Sequence, residues 1–151
     1  GGSAYAKLFN PASRYAIVGA CAKISASGGV CSAASVAIGG LTPNAKQASS
    51  VAAALVGKAL NAANIATAAA AVANDLGDDV MGDIHASEEY RRAMAPVYVE
   101  RALTAAAARA KRLLHITANR LEVGEWRSDL LSGLHSFIIL CSEWKPSFCL
   151  R

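Results

Sequence analysis

The chain has 151 residues, 54% hydrophobic and 17% charged, which supports one buried core and excludes wholesale disorder. Its net charge of +4 is spread evenly, with nine Lys/Arg against seven Asp/Glu through residue 110 and six against four after it, too flat for a nucleic-acid footprint. No apolar run approaches the ~20 residues of a membrane span, and the opening "GGSAYAKLFNPASRY" lacks the basic start and apolar stretch of a signal peptide, so a cytoplasmic chain without membrane contact is expected.

Alanine divides the sequence: 33 of 34 alanines fall at or before residue 110. Residues 1–110 read as one domain and residues 111–151 as an extension of unknown role. In the first part, "RYAIVGACAKISASGGVCSAASVAIGG" predicts a β-hairpin over residues 14–39 that turns at Gly28-Gly29. A three-residue loop, Ser27-Gly28-Gly29, sets residue 26 opposite residue 30. Even-numbered residues such as Val18, Ala20, Ala22, Ile24, Val36 and Ile38 then share one apolar face. A two-residue loop would mix the faces. In the favoured register Cys21 and Cys31 both lie on the odd face, on the order of 13–20 Å apart along the strands, too far to bridge.

After Pro43 the period changes. Val51 and Leu55 before Gly57 predict a short helix, and "NAANIATAAAAVANDLG" a second, capped by Asn61 and Gly77 with Ile65, Ala69, Val72 and Leu76 as its stripe. A third starts near Ser87 with Tyr90, Met94, Val97 and Tyr98 on one side, and Pro96 either kinks it or opens a new helix. Strands first and helices after predict an α+β fold, an antiparallel sheet packed against about three α-helices. In the extension, Leu130, Leu134, Phe137, Ile138 and Cys141 fall at helical spacing, an amphipathic helix that would fold back or join two copies in a homodimer.

No catalytic residue suggests itself. His85, His115 and His135 are far apart and poorly supported by carboxylates. The four cysteines form no CxxC and no finger-like Cys/His pair, so no metal site is expected. Arg109, Lys111, Arg112 and Arg120 lack interleaved aromatics, which argues against nucleic acid. The densest chemistry is "DIHASEEYRRAM", residues 83–94. Asp83 and Ser87 suit the free N–H groups of a helix start, Glu88 and Glu89 its positive end, Tyr90 a place against the sheet, and Arg91 a pair with Asp83.

The series "YAKL", "RYAIVGACAKI", "SVAIGGLTPNAKQ", "AALVGKAL", "DIHASEEYRRAM" and "VERAL", in order from about Tyr5 to Ala108, resembles the C-terminal domain of the FAD-binding medium subunit of molybdenum hydroxylases, the carbon monoxide dehydrogenase and xanthine dehydrogenase family. The resemblance implies a flavoprotein that receives electrons from a molybdenum-cofactor large subunit through an iron–sulfur small subunit. It also implies that most FAD contacts belong to domains preceding this one, so this chain alone would lack FAD and activity. By the same resemblance Lys7, of the "YxKL" opening, and Tyr15, at the head of the first long strand, lie close to the flavin. A cation there favours the reduced, anionic ring and an aromatic shields its face. Where the family places basic residues after the lysine, this chain has Asn10-Pro11. Two readings stay open: the C-terminal domain of an electron-transfer subunit, or a free-standing domain reused for protein interaction or oligomerisation.

Overall fold

Strand-forming alternation in the first 47 residues builds a four-stranded antiparallel sheet in the order β1-β2-β3-β4. The strands are β1 (Gly2–Phe9), β2 (Ala16–Ser27), β3 (Val30–Gly39) and β4 (Lys46–Gln47). The computed structural model describes residues 1–111. Helices α1 (Ser49–Leu55) and α2 (Ala62–Ala70) follow, α2 tightening into a 3₁₀ turn over Ala71–Asn74, and α3 runs from residue 88 through 111. The amphipathic helix expected around Leu130 to Cys141 lies outside the described residues.

The hairpin forms over the expected residues with the expected buried face, but in a different register. Gly28 and Gly29 both have positive φ, 58° and 81°, and make a two-residue turn. Ala22 pairs with Val36 and Ala20 with Ile38, two residues away from the register expected. The even face survives because Ser32 is extra: Ser25 pairs with Ala33 but Ala26 with Cys31, a bulge that restores the parity the short turn would have lost. Beyond the bulge Cys31 turns inward and is buried, whereas Cys21 is exposed, so the two cysteines lie on opposite faces rather than sharing one. Burial pushes the Cys31 thiol above its ordinary pKa.

The helices cover the even face. Val18, Ala20, Ala22, Ile24, Val36 and Ile38 meet Val51, Leu55, Ile65, Val72, Val99 and Leu103 in one continuous core. Asn61 caps α2 by accepting from the Asn64 N–H at 2.8 Å, and Gly57 and Gly77 follow the helical segments with positive φ. Helix α3 passes through Pro96 without a break. Of the stripe expected, Tyr98 is buried and Met94 and Val97 pack half-buried against the core, but Tyr90 is 47% exposed, and Arg91, Ala95, Val99, Ala102, Leu103 and Ala106 complete the inward face. Alanine on the inner side lets the helix approach the sheet so closely that β1 keeps glycine at Gly2, where any Cβ would strike the Ala106 carbonyl. The Arg109 guanidinium closes the contact by donating to the Ser3 carbonyl. Among the described residues no helix is long and apolar enough to cross a membrane, and no cluster of three or more His, Cys, Asp or Glu could hold a metal.

Candidate functional site

At one end of the sheet the β1–β2 connection, the end of β3 and the loop before α3 enclose a cleft of about 420 Å³, lined in part by Asn10, Tyr15, Ile17, Met81, Asp83 and Arg91. The β1–β2 connection is a closed turn built on Asn10. The Asn10 N–H donates to the Tyr15 carbonyl and its own carbonyl accepts from the Arg14 N–H, both at 2.8 Å. Its side-chain oxygen accepts from the Ala12 N–H at 2.9 Å and the Ser13 N–H at 3.3 Å. Such an Asx turn needs a short amide and leaves proline free to follow, the local sense of Asn10-Pro11. Arg14 takes a left-handed φ of 63° to complete it, with its guanidinium over the Phe9 ring at 5.0 Å.

This turn brings the two sequence-predicted residues together. Lys7, exposed on β1 opposite Gly19, donates from Nζ to the Arg14 carbonyl at 3.1 Å, the residue before Tyr15. The Tyr15 ring is 80% exposed and lines the cleft. Lys7 is outside the cleft lining, on the adjoining open face of the sheet, where the Tyr5 ring lies across Gly19 and a Cβ at Gly19 would come within 2.6 Å of the Tyr5 hydroxyl.

The opposite wall is the loop over residues 81–87. The Asp83 carboxylate accepts from the backbone N–H groups of His85 at 2.8 Å and Ala86 at 3.0 Å and pairs with the Arg91 guanidinium, as expected from the sequence. The His85 N–H first, and Arg91 after it, hold the Asp83 carboxyl below the usual carboxylate range. Ser87 Oγ accepts from the Tyr90 N–H at 3.2 Å and caps α3. Arg91 does more than pair with Asp83: it is 4% exposed and also donates to the carbonyls of Ala86, Ile17 and Gly40. Neither Asn10 nor Arg91 was legible as a builder of the cleft. Asn-Pro signals a turn but not which strand it closes, and the partners of Arg91 lie as far as 74 residues away.

The described residues offer no cradle for a diphosphate. Each helix start already holds an internal acceptor: Asp75 takes the Ser50 N–H at 3.1 Å, and Asn61 and Ser87 serve α2 and α3. Gly28-Gly29 is a hairpin tip, and Gly40, with φ 83°, ends a strand packed on the Ala16 carbonyl. What the cleft does offer is a flat exposed aromatic, a nearby ammonium and an apolar lining at Ile17 and Met81, the composition that suits the edge or face of a planar ring.

The model of the CO dehydrogenase flavoprotein C-terminal domain matches residues 3–106. Among solved structures, quinoline 2-oxidoreductase from Pseudomonas putida 86 is 32% identical at a TM-score of 0.66, covering 72% of this chain and 38% of its own. Reconstituted CO dehydrogenase from Oligotropha carboxidovorans is 32% identical at 0.65, covering 72% and 37%. The CO dehydrogenase of Hydrogenophaga pseudoflava lacking the Mo-pyranopterin moiety of its cofactor is 34% identical at 0.66, with the same coverage, 72% and 37%. This chain thus spans well under half the length of each. Comparison with curated protein sequences gives no significant match. With the family model spanning the sheet, all three helices and both walls of the cleft, the chain belongs to the CO dehydrogenase flavoprotein C-terminal domain family.

Proposed function

We propose that residues 1–110 are the flavin-facing C-terminal domain of a FAD-carrying electron-transfer subunit of a molybdenum hydroxylase, without activity of their own. The observation that carries this reading is the Lys7–Arg14–Tyr15 arrangement, an exposed ring beside a cleft with a cation tethered to the preceding carbonyl, in a chain of this family. Bound flavin supplies the redox chemistry. Tyr15 offers one side of the ring a wall, and the Lys7 ammonium favours the reduced, anionic state. No diphosphate cradle stands among the described residues, so on this reading the adenine-dinucleotide part is held outside residues 1–110. On the same reading the partners are a molybdenum-cofactor large subunit, which sets the substrate, and an iron–sulfur small subunit.

The chain titrated alone with FAD gives no saturable yellow complex at micromolar concentration. Residues 1–110 are then put in place of the equivalent domain of the Hydrogenophaga pseudoflava flavoprotein. This chimera binds FAD, Tyr15→Ala shifts its visible flavin band, and Lys7→Ala lowers the flavin reduction potential. A yellow, folded chimera in which neither substitution alters band or potential refutes the reading.

A second reading, a reused interaction or homo-oligomerisation module, draws on the outer side of α3, where Val97, Ala105 and Ala108 line a shallow, mainly apolar hollow. Light scattering decides it: a dimer that Ala108→Glu dissociates supports the module, and a monomer up to high micromolar concentration removes it.

A further inference from the structure

We infer that Arg91 is the positioning residue of the Tyr15 cleft, a single buried guanidinium that anchors both of its walls. That this matters for electron transfer rests on the flavin-facing reading above; that the walls share one anchor does not. Arg91 is the only buried charged side chain among the described residues. On one side Nε donates to the Ala86 carbonyl at 3.4 Å and Nη2 pairs with Asp83, gripping the loop. On the other Nη1 donates to the Gly40 carbonyl at 2.7 Å and the Ile17 carbonyl at 3.3 Å, gripping the end of β3 and the start of β2 two residues from Tyr15. These partners lie 74 and 51 residues away in sequence, so no local structure would bring them together.

Stability alone is a poor account of an arginine here. A buried ion pair is commonly no more stabilising than a well-packed apolar side chain of the same volume, and the neighbouring core is apolar. What an apolar residue cannot do is hold three backbone carbonyls and a carboxylate in one plane, which a guanidinium fork does and an ammonium does not. The loop has one further backbone tie at this end of the domain, from the Met81 N–H to the Leu41 carbonyl just past β3 at 2.9 Å, which fixes its entry but not residues 83–86. The exit from the loop, and the distance from it to Tyr15, are set by Arg91.

Amide hydrogen exchange of the intact chain, resolved by peptide, tests this with three variants. Arg91→Met speeds exchange about tenfold, the scale of one or two lost hydrogen bonds, in peptides covering residues 15–17, 40–42 and 81–87, while the rest of the β2–β3 hairpin keeps its native protection. Asp83→Asn loosens residues 81–87 alone. Arg91→Lys keeps a cation for Asp83 but cannot span Ile17 and Gly40, so it loosens residues 15–17 and 40–42 alone. The two partial variants carry the test if Arg91→Met does not fold. Uniform acceleration that includes the hairpin, or partial variants that loosen the same wall, overturns the inference. If the walls loosen as expected while Tyr15→Ala leaves the chimera's flavin band unchanged, the anchor stands and the flavin-facing reading falls.

Discussion

The covered face of the sheet and the cleft at its end are built by different means. On the covered face Val18, Ala20, Ala22, Ile24, Val36 and Ile38 are each at most 1% exposed, and shape alone holds them against the helices. At the cleft the walls are held by directional bonds, from Asn10 to its own turn and from Arg91 to four separate acceptors, and the large side chains Tyr15, Met81 and Ile84 face outward. Dispersion and burial stabilise the first without regard to detail. The second gains little net free energy per bond but fixes positions. Substitution in the two regions therefore separates stability from geometry.

The largest loss belongs to the covered face. Leu103→Ala removes a fully buried side chain from α3 and costs about 2–5 kcal/mol, read as a lower midpoint in urea unfolding with an unchanged slope. Next comes the seam between the regions. Gly40 has φ 83°, and a Cβ there would stand 2.5 Å from the Ala16 carbonyl. Gly40→Ala therefore costs more than about 2 kcal/mol, from left-handed strain and the clash together. The same substitution shifts the carbonyl that Arg91 holds, so it also loosens residues 15–17 in exchange experiments. A Gly40→Ala chain that melts lower but keeps its cleft protection would show the regions to be less connected than the bonds imply.

The covered face was legible in sequence because burial leaves a period. Alternation in β2 and β3 identified the apolar side correctly although the register was two residues off, since the bulge at Ser32 and the shorter turn preserve parity together. The cost fell on Cys31, placed outward by regular alternation and turned inward by the bulge. Helix α3 was legible in its start at Ser87 and its Asp83–Arg91 pair, but only in part in its stripe. Large residues suggested Tyr90, Met94, Val97 and Tyr98, of which Tyr90 is exposed, while the close helix–sheet contact at Gly2 and Ala106 adds small ones to the buried side. Of the two residues the resemblance named, Tyr15 lines the cleft and Lys7 lies outside its lining. The Asn10 turn that sets them side by side, and the arginine that braces them, depend on partners no local pattern reveals.

A smaller effect separates the regions by pH. The Asp83 pKa is lowered in the folded chain, so the stability it contributes is present above the ordinary Asp value and is lost as pH falls below about 4. Acid should therefore loosen residues 81–87 while the hairpin, which has no carboxylate on its covered face, keeps its protection. In Asp83→Asn the exchange of that loop becomes independent of pH between about 5 and 3 once the intrinsic exchange rate is divided out. A loop whose protection falls equally with acid in the native chain and in Asp83→Asn would assign the effect to another group.

The smallest stability change should accompany the largest functional one. Tyr15 lies just before β2, its ring 80% exposed, and the backbone bonds that hold its position, from Asn10 N–H to its carbonyl and from its own N–H to Ser13 Oγ at 3.4 Å, do not involve the ring. Tyr15→Ser therefore removes almost no buried area, and the melting free energy should move by no more than about 0.5 kcal/mol. On the flavin-facing reading proposed above, a ring this exposed beside a cleft is accounted for by what it touches beyond this domain rather than by what it does for the domain. In the flavoprotein chimera the same substitution should change the flavin band and the rate of flavin reduction while unfolding stays where it was. Should Tyr15→Ser instead lower the melting midpoint as far as Leu103→Ala does, the ring belongs to the core and the division between the two regions is drawn in the wrong place.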